Sequence, residues 1–259
     1  MSTQLAQDAL SLLSGSFVGF SLGLVGGGGS ILAVPLMIYV VGVASPHVAI
    51  GTSALAVAVN AAANLVSHAR AGTVKWSCVG VFAAAGVAGA FGGSSLSKII
   101  DGRHLLALFA VLMLVVAGVM FFRRASEGDA AVRLNRANLP KLVGLGAGTG
   151  ALSGFFGIGG GFLIVPSLML ATGMPIICAI SSSLLAVTAF GATAALNYAI
   201  SGLVAWRLAA IFIAGGVLGG LVGGRLAHVL GDKRGTLNMI FAAVIALTAI
   251  YMLARSTLG

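Results

Sequence analysis

Two glycine-rich stretches decide how the chain folds: GLVGGGGSILAVP at residues 23–35 and GFFGIGGGFLIVP at residues 154–166. They align without gaps, from Gly23 with Gly154 to Pro35 with Pro166, and seven of the 13 aligned pairs are identical. Each stretch interrupts an apolar segment and ends on a proline, a residue that helices tolerate in their first turn. The glycine runs therefore predict breaks, each followed by a new half-helix, one starting at Ser30–Ile31 and the other at Gly161–Phe162.

The duplication continues along the chain in a register that is one residue shorter than that of the first pair and is constant from there on. It pairs AIGTS with AISSS, GTVKW with GLVAW, and three spaced glycines with three others: residues 49–53 with 179–183, residues 72–76 with 202–206, and Gly86, Gly89 and Gly93 with Gly216, Gly219 and Gly223. One spacing held across several motifs indicates an internal repeat rather than chance similarity. The mid-segment glycines have the spacing of close helix packing.

The composition is that of a membrane protein. Of the 259 residues, 59% are hydrophobic and 7% are charged, whereas soluble domains carry about 25% charged residues. So few charges exclude a water-soluble enzyme. The two cysteines, Cys78 and Cys178, lie in apolar segments, which excludes a disulfide-rich secreted domain. The 14 basic residues are scattered rather than clustered, so we expect a lipid bilayer and no nucleic acid as a partner.

Polar breaks divide the chain into ten apolar segments, at about residues 9–25, 31–44, 48–68, 77–97, 104–122, 141–156, 162–173, 177–200, 206–228 and 235–254. The second and the seventh are too short to span a hydrocarbon core of about 30 Å. We therefore predict an all-α polytopic membrane protein with two repeats of about five helical segments. The first two segments of each repeat are broken or re-entrant at the Gly-rich turn. Repeat 1 covers residues 9–122, repeat 2 covers 141–254, and a polar cytoplasmic linker, 123–140, joins them.

An odd number of segments in each repeat places the second copy upside down in the bilayer, as an inverted repeat. Lys and Arg favour the cytoplasmic side of a membrane. With the linker on that side, ten basic residues fall there: Arg70, Lys75, Arg123, Arg124, Arg133, Arg136, Lys141, Arg225, Lys233 and Arg234. Four fall on the other side: Lys98, Arg103, Arg207 and Arg255. Both termini are therefore predicted to lie outside.

The two breaks are the strongest functional signal. Non-helical backbone inside a membrane is tolerated where it is buried in protein or lines a water-filled cavity. A half-helix that begins there directs unpaired N–H groups and the positive end of its dipole at the cavity, which favours an anion. The residues predicted to bind it are Gly27, Gly28, Gly29, Ser30, Gly159, Gly160 and Gly161. Close packing of helices against glycine is the alternative.

Hydroxyl and amide side chains in apolar segments add candidates for the same site. The hydroxyl groups open the third and eighth segments, and the amides lie further along: Thr52, Ser53, Ser181, Ser182 and Ser183, with Asn60 and Asn197. Hydroxyls and amides can donate to an oxyanion. The alternatives are helix capping or hydrogen bonding to the preceding turn for the hydroxyls, and contacts between helices for the amides.

Acidic residues lie only at the termini or in loops: Asp8, Asp101, Glu127, Asp129 and Asp232. The sequence therefore indicates neither a carboxylate proton relay nor an acidic pore, and no metal or cofactor site is predicted. Proton coupling would have to use a histidine at a segment end (His47, His68, His104 or His228), with His68 as the first candidate and a structural role as the alternative. An intramembrane serine hydrolase using Ser14 or Ser153 is a further alternative, but the spacing places no base within reach. We predict no enzyme activity.

The motifs at 23–36 and 154–167, the hydroxyl motifs that follow, and the pairs at 72–76 and 202–206 resemble the duplicated signature of the sulfite exporter TauE/SafE family. The resemblance covers nearly the whole chain. It implies a pseudo-symmetric permease of the inner membrane that carries sulfite, sulfoacetate or a related small anion. Ser30 matches Gly161 across the repeat, and Gly27 matches Ile158, so the two half-sites are chemically unequal.

We therefore expect a secondary transporter that carries a small sulfur-containing anion across the inner membrane by alternating access. Sulfite and C2 sulfonates such as sulfoacetate are the expected substrates, and export is the direction that the resemblance implies. An importer or a channel for a small anion, such as sulfate, thiosulfate or an organic carboxylate, is the alternative. The sequence leaves the oligomeric state open, with a homodimer as one option.

Overall fold

The computed structural model describes residues 2–122, 132, 134–229 and 234–258. Those residues form ten α-helices and no strand: α1 (Ser2–Val25), α2 (Ala33–Tyr39), α3 (Pro46–Arg70), α4 (Trp76–Ser97), α5 (Gly102–Phe122), α6 (Leu139–Phe156), α7 (Gly161–Thr172), α8 (Ile176–Ile200), α9 (Trp206–Val229) and α10 (Arg234–Leu258). A 3₁₀ helix, Gly26–Leu32, joins α1 to α2. Most of the predicted linker, 123–131 and 133, lies outside the described residues.

Four helices are long and apolar enough to cross a membrane: α3, α4, α8 and residues Trp206–Arg225 of α9. Shorter apolar stretches lie in α2, α5, α7 and α10. The long helices are the third and fourth segments of each predicted repeat, so equivalent segments in the two repeats have the same character. The chain is a multi-pass helical protein, as its sequence predicts.

Helices from the two repeats pack against each other in reciprocal pairs. Helix α1 packs on α9, and its equivalent α6 packs on α4. Helix α4 also packs on α8, and α9 packs on α3. The remaining large contacts join equivalent helices, α3 with α8 and α5 with α10. The two repeats therefore interlock, and each completes the core of the other.

Glycines allow the closest of these contacts. A Cβ on Gly19 in α1 would clash with the carbonyl oxygen of Gly216 in α9. The equivalent residues behave in the same way, because a Cβ on Gly150 in α6 would clash with the carbonyl oxygen of Gly86 in α4. The predicted packing role of Gly86 and Gly216 is confirmed: their helices touch backbone to backbone.

The break in repeat 2 follows the prediction. Gly157, Gly159 and Gly160 have φ angles of 64°, 66° and 66°, in the left-handed region that favours glycine. Helix α7 then begins at Gly161. Pro166 lies inside α7 rather than in its first turn. Because proline has no N–H, a carbonyl one turn earlier loses its intrahelical hydrogen bond there.

The break in repeat 1 differs from the prediction. A new half-helix starting at Ser30–Ile31 was expected, and this was wrong: Gly26–Leu32 form a 3₁₀ helix, and α2 begins only at Ala33. Tighter 3₁₀ winding keeps this part of the chain helical from α1 into α2, whereas the left-handed glycines of repeat 2 interrupt the helix. Helix α2 has only seven residues, and no side chain caps its start.

Candidate functional site

The start of α7 exposes backbone N–H groups at a buried position. The first hydrogen bonds of the helix run from the amides of Leu163 and Ile164 to the carbonyl of Gly160. The amides of Gly161 and Phe162 therefore have no acceptor within the helix. No side chain caps this end of α7. Such a helix start attracts negative charge.

The break that precedes α7 lies between the central helices of both repeats. A Cβ on Gly159 would lie 2.8 Å from the Cγ1 atoms of both Val57 in α3 and Val187 in α8. These valines are equivalent in the register that pairs AIGTS with AISSS. Gly157 packs on Ile50, two turns before Val57 on α3. The break therefore follows one face of α3 from Ile50 to Val57.

Ser53 lies on that face of α3, between Ile50 and Val57. Its side chain is fully buried, and its Oγ has no hydrogen-bond partner. Serine is expected to find a partner when it is buried, because an unsatisfied hydroxyl costs about 1–3 kcal/mol. Ser53 is thus a predicted site residue that retains its hydrogen-bonding capacity beside the break.

Asn60 continues the same face of α3, one turn beyond Val57. Its side chain is also fully buried, and neither Nδ2 nor Oδ1 has a hydrogen-bond partner. The amide lies against Gly216 of α9, where a Cβ would clash with it. Both donors and the acceptor of this amide are available to a ligand.

Ser153 of α6 is a candidate that the sequence reasoning assigned to no binding role. It is 1% exposed, and its Oγ has no partner. A Cβ on Gly160, at the start of α7, would lie 3.0 Å from that oxygen. The repeat contained a signal for it: Ser153 matches Leu22 in the register that pairs Gly23 with Gly154, so a hydroxyl replaces an apolar side chain.

Two of the predicted hydroxyls cap helices instead. Thr52 Oγ1 accepts a hydrogen bond from the amide of Ala205 (3.0 Å), immediately before α9. Ser182 Oγ accepts one from the amide of Lys75 (2.9 Å), immediately before α4. The two contacts are equivalent, and in each a hydroxyl of one repeat caps a helix of the other. Thr52 Oγ1 also donates to the carbonyl of Val48 (2.6 Å) in the preceding turn, which is one of the alternatives raised by the sequence.

The remaining hydroxyls also have partners. Ser183 Oγ donates to the carbonyl of Ile180 (2.7 Å) in the preceding turn. Ser181 Oγ accepts from Thr73 Oγ1 (2.8 Å) and lies 3.0 Å from His68 Nδ1. These contacts join the end of α3 to the start of α8. Ser30 is buried and is also bonded.

Asn197 lies away from the break, near the end of α8. Its Nδ2 donates to Ser94 Oγ (2.7 Å) of α4, and its Oδ1 accepts from Lys98 Nζ (2.8 Å). It therefore links two helices, the alternative that the sequence allowed for such amides. Of the first break, Gly29 packs against α1 at Ser21 and Leu22, while the side-chain surroundings of Gly27 and Gly28 lie outside the described residues.

Comparison with known proteins identifies the family. Residues 11–252 match the family described as sulfite exporter TauE/SafE. A "Probable membrane transporter protein" of Xylella fastidiosa strain Temecula1 is 52% identical over 244 residues, which cover 94% of each chain. YunE of Bacillus subtilis, also described as a probable membrane transporter protein, is 27% identical over 259 residues, covering 92% of this chain and 93% of YunE. No solved structure matches the chain. The chain belongs to the sulfite exporter TauE/SafE family and is a membrane transporter.

Proposed function

We propose that this member of the sulfite exporter TauE/SafE family is a secondary transporter that exports a small sulfur-containing anion across the inner membrane by alternating access. Sulfite and C2 sulfonates such as sulfoacetate are the proposed substrates. The observation that carries the proposal is the uncapped start of α7, buried at the centre of the protein beside the unpartnered hydroxyls of Ser53 and Ser153. The predicted binding residues that we retain there are Ser53, Asn60, Gly159, Gly160 and Gly161.

The chemistry of this arrangement favours an oxyanion. Backbone N–H groups and the helix dipole supply partial positive charge, and hydroxyl and amide groups donate hydrogen bonds. Among the described residues, no Lys, Arg, His, Asp or Glu side chain is buried. A site built from dipoles rather than full charges suits a transported anion, which must bind and then leave on the other side.

The reciprocal packing of the helices supports an inverted repeat with boundaries at residues 9–122 and 141–254. Broken helices at the interface of two such repeats are a recurring design of secondary transporters. In this proposal, the ends of α3 and α8 open in turn, and both chain termini lie outside. The excess of basic residues on the linker side supports that orientation.

The membrane potential, negative inside, drives the export of an anion of either one or two charges. With the inside negative, each charge that leaves gains about 2.3 kcal/mol per 100 mV. A coupling ion is therefore unnecessary, which agrees with the confinement of carboxylates to termini and loops in the sequence.

Counterflow in proteoliposomes tests this function. Vesicles containing the purified protein would be loaded with sulfite or sulfoacetate and diluted into the labelled anion, with sulfate, thiosulfate and acetate as competitors. We expect saturable counterflow that is stimulated by substrate on the far side, and net efflux that responds to membrane potential without a proton or sodium gradient. Flux that never saturates would favour the channel, and strict dependence on a proton or sodium gradient would contradict uncoupled export.

A further inference from the structure

The face of α3 beside the break continues as a polar stripe to the end of the helix. Ser53, Asn60, Asn64 and Ser67 are separated by seven, four and three residues, so they share one face. Ser53 and Asn60 are fully buried, Asn64 is half-buried and Ser67 is exposed. Polar groups thus lie along this face from the buried part of α3 to the end that carries Arg70, with Val57 between Ser53 and Asn60.

The equivalent face of α8 is polar at its two ends, Ser183 and Asn197, but apolar at the two positions between them. In the register that pairs AIGTS with AISSS, Asn60 and Asn64 correspond to Phe190 and Ala194, both fully buried. The Phe190 ring stacks on Phe82 of α4, with centroids 6.1 Å apart. Repeat 2 therefore has apolar side chains at the two positions where repeat 1 has amides.

Helix α9 covers the stripe with glycines. The Asn60 amide lies against Gly216, and a Cβ on Gly220 would lie 2.9 Å from Asn64 Nδ2. Asn64 Nδ2 donates to the backbone carbonyl of Asn60 (2.9 Å), whereas the Asn60 side chain has no partner. Since no side chain of α9 lies between its backbone and the amides, a small displacement of α9 would uncover both amides together.

We propose that the polar stripe on α3 is one half of the path of the anion, from the break at Gly159 to the Arg70 end of the helix. Helix α9 closes this half-path through Gly216 and Gly220. The hydroxyl of Ser53 and the amides of Asn60 and Asn64 donate in turn to the oxygens of the anion as it passes. The inference rests on the proposed function, because it requires that an anion crosses the protein.

Thiol accessibility tests the path. In a Cys78→Ala, Cys178→Ala background, Asn64→Cys would be compared with Ala194→Cys, its equivalent on α8. The probe is methanethiosulfonate ethylsulfonate, which itself carries a sulfonate. Applied to Asn64→Cys on the Arg70 side and to Ala194→Cys on the opposite side, towards which that end of α8 leads, it is expected to modify Asn64→Cys about tenfold faster, because a thiol in a polar, accessible position ionises and reacts more readily than one in apolar surroundings.

One control and one further pair make the result decisive. Ser67→Cys is exposed and shows that the reagent is active on the Arg70 side. Asn60→Cys, compared with Phe190→Cys, replaces the first pair if Asn64→Cys fails to fold. Modification at Asn60→Cys or Asn64→Cys should slow when sulfoacetate is present, because the anion occupies the same path.

Equal rates at equivalent positions of α3 and α8, or modification of Asn64→Cys only from the opposite side, would overturn the path. Counterflow by the cysteine-free parent separates this from failure of the proposed function. A parent that moves sulfoacetate but shows equal rates contradicts the path alone. A parent that moves none of the tested anions contradicts the proposed function and, with it, the assignment of the stripe to an anion.

Discussion

Repeats 1 and 2 have the same scaffold but different interiors. The seam between α1 and α9 and the seam between α6 and α4 use equivalent glycine contacts, Gly19 on Gly216 and Gly150 on Gly86. The caps supplied by Thr52 and Ser182 are equivalent as well. These positions join helices of one repeat to helices of the other, and the contacts are the same in both repeats.

The interiors differ wherever a polar group is left without a partner. Asn60 matches Phe190, and Ser153 matches Leu22. Ser53 matches another serine, Ser183, yet only Ser183 is bonded to its own helix. The two copies therefore differ in residue type at Asn60 and Ser153 and in hydrogen bonding at Ser53.

The two ends of the α3–α8 pair also differ in polarity. At the Arg70 end, Ser181 meets His68 and Thr73 through polar contacts. At the other end, the equivalent of Ser181 is Gly51, which packs tightly on Tyr198. One end is thus closed by hydrogen bonds and the other by a ring against glycine, so the two gates of the proposed cycle are built differently.

The largest effect on stability is expected from truncating a side chain at the equivalent positions Asn60 and Phe190. Phe190→Ala should lower the free energy of unfolding by about 3–5 kcal/mol, because it leaves a cavity beside Phe82. Asn60→Ala should instead raise it by about 1 kcal/mol, since it removes a buried amide without partners, while it lowers anion flux. Denaturation of the purified proteins, with counterflow in parallel, measures both. A loss of stability in both variants would show that Asn60 is a packing residue.

Alanine substitutions in the two seams should lower the free energy of unfolding by equal amounts, and by somewhat less than Phe190→Ala does. Gly19→Ala and Gly150→Ala should each lower the free energy of unfolding by about 1–3 kcal/mol, because the new methyl group meets backbone on the facing helix. Gly148→Ala is the control: no atom lies within 4 Å of its Cβ position. It should be neutral or slightly stabilising. Markedly unequal effects of Gly19→Ala and Gly150→Ala in thermal denaturation would contradict equivalence of the two seams.

Removing the capping hydroxyls should have the smallest effect on stability, and the effect should be the same in both repeats. Thr52→Val and Ser182→Ala each leave the amide before a helix without its acceptor, which should cost about 1 kcal/mol. Thermal denaturation of the two variants measures it. If Thr52→Val or Ser182→Ala abolished anion binding without loss of stability, these hydroxyls would be binding groups rather than caps.

The sequence predicted the helices well, because hydropathy is a local signal, while the inverted repeat stays a prediction. It also located the break before α7. It did not predict the 3₁₀ winding of Gly26–Leu32, since a glycine run permits both a left-handed turn and tighter helical winding.

The roles of the hydroxyls could not be read from the sequence for a different reason. Thr52 finds its partner at Ala205, and Ser182 finds its partner at Lys75, both in the other repeat. Which serine remains unbonded depends on that interlocking, which local patterns do not contain. Comparing the two copies position by position is the sequence signal that would have separated Ser153 from its apolar counterpart.

Matched serine variants test the central claim most directly. Sulfoacetate binding would be measured by thermal stabilisation of wild-type protein, Ser53→Ala and Ser183→Ala, since a ligand that binds the folded state raises its melting temperature. Loss of a hydrogen bond to a charged ligand should weaken binding about tenfold or more in Ser53→Ala and leave Ser183→Ala close to wild type. Equal weakening in both variants, or weakening in Ser183→Ala alone, would contradict a binding site on the α3 side of the break.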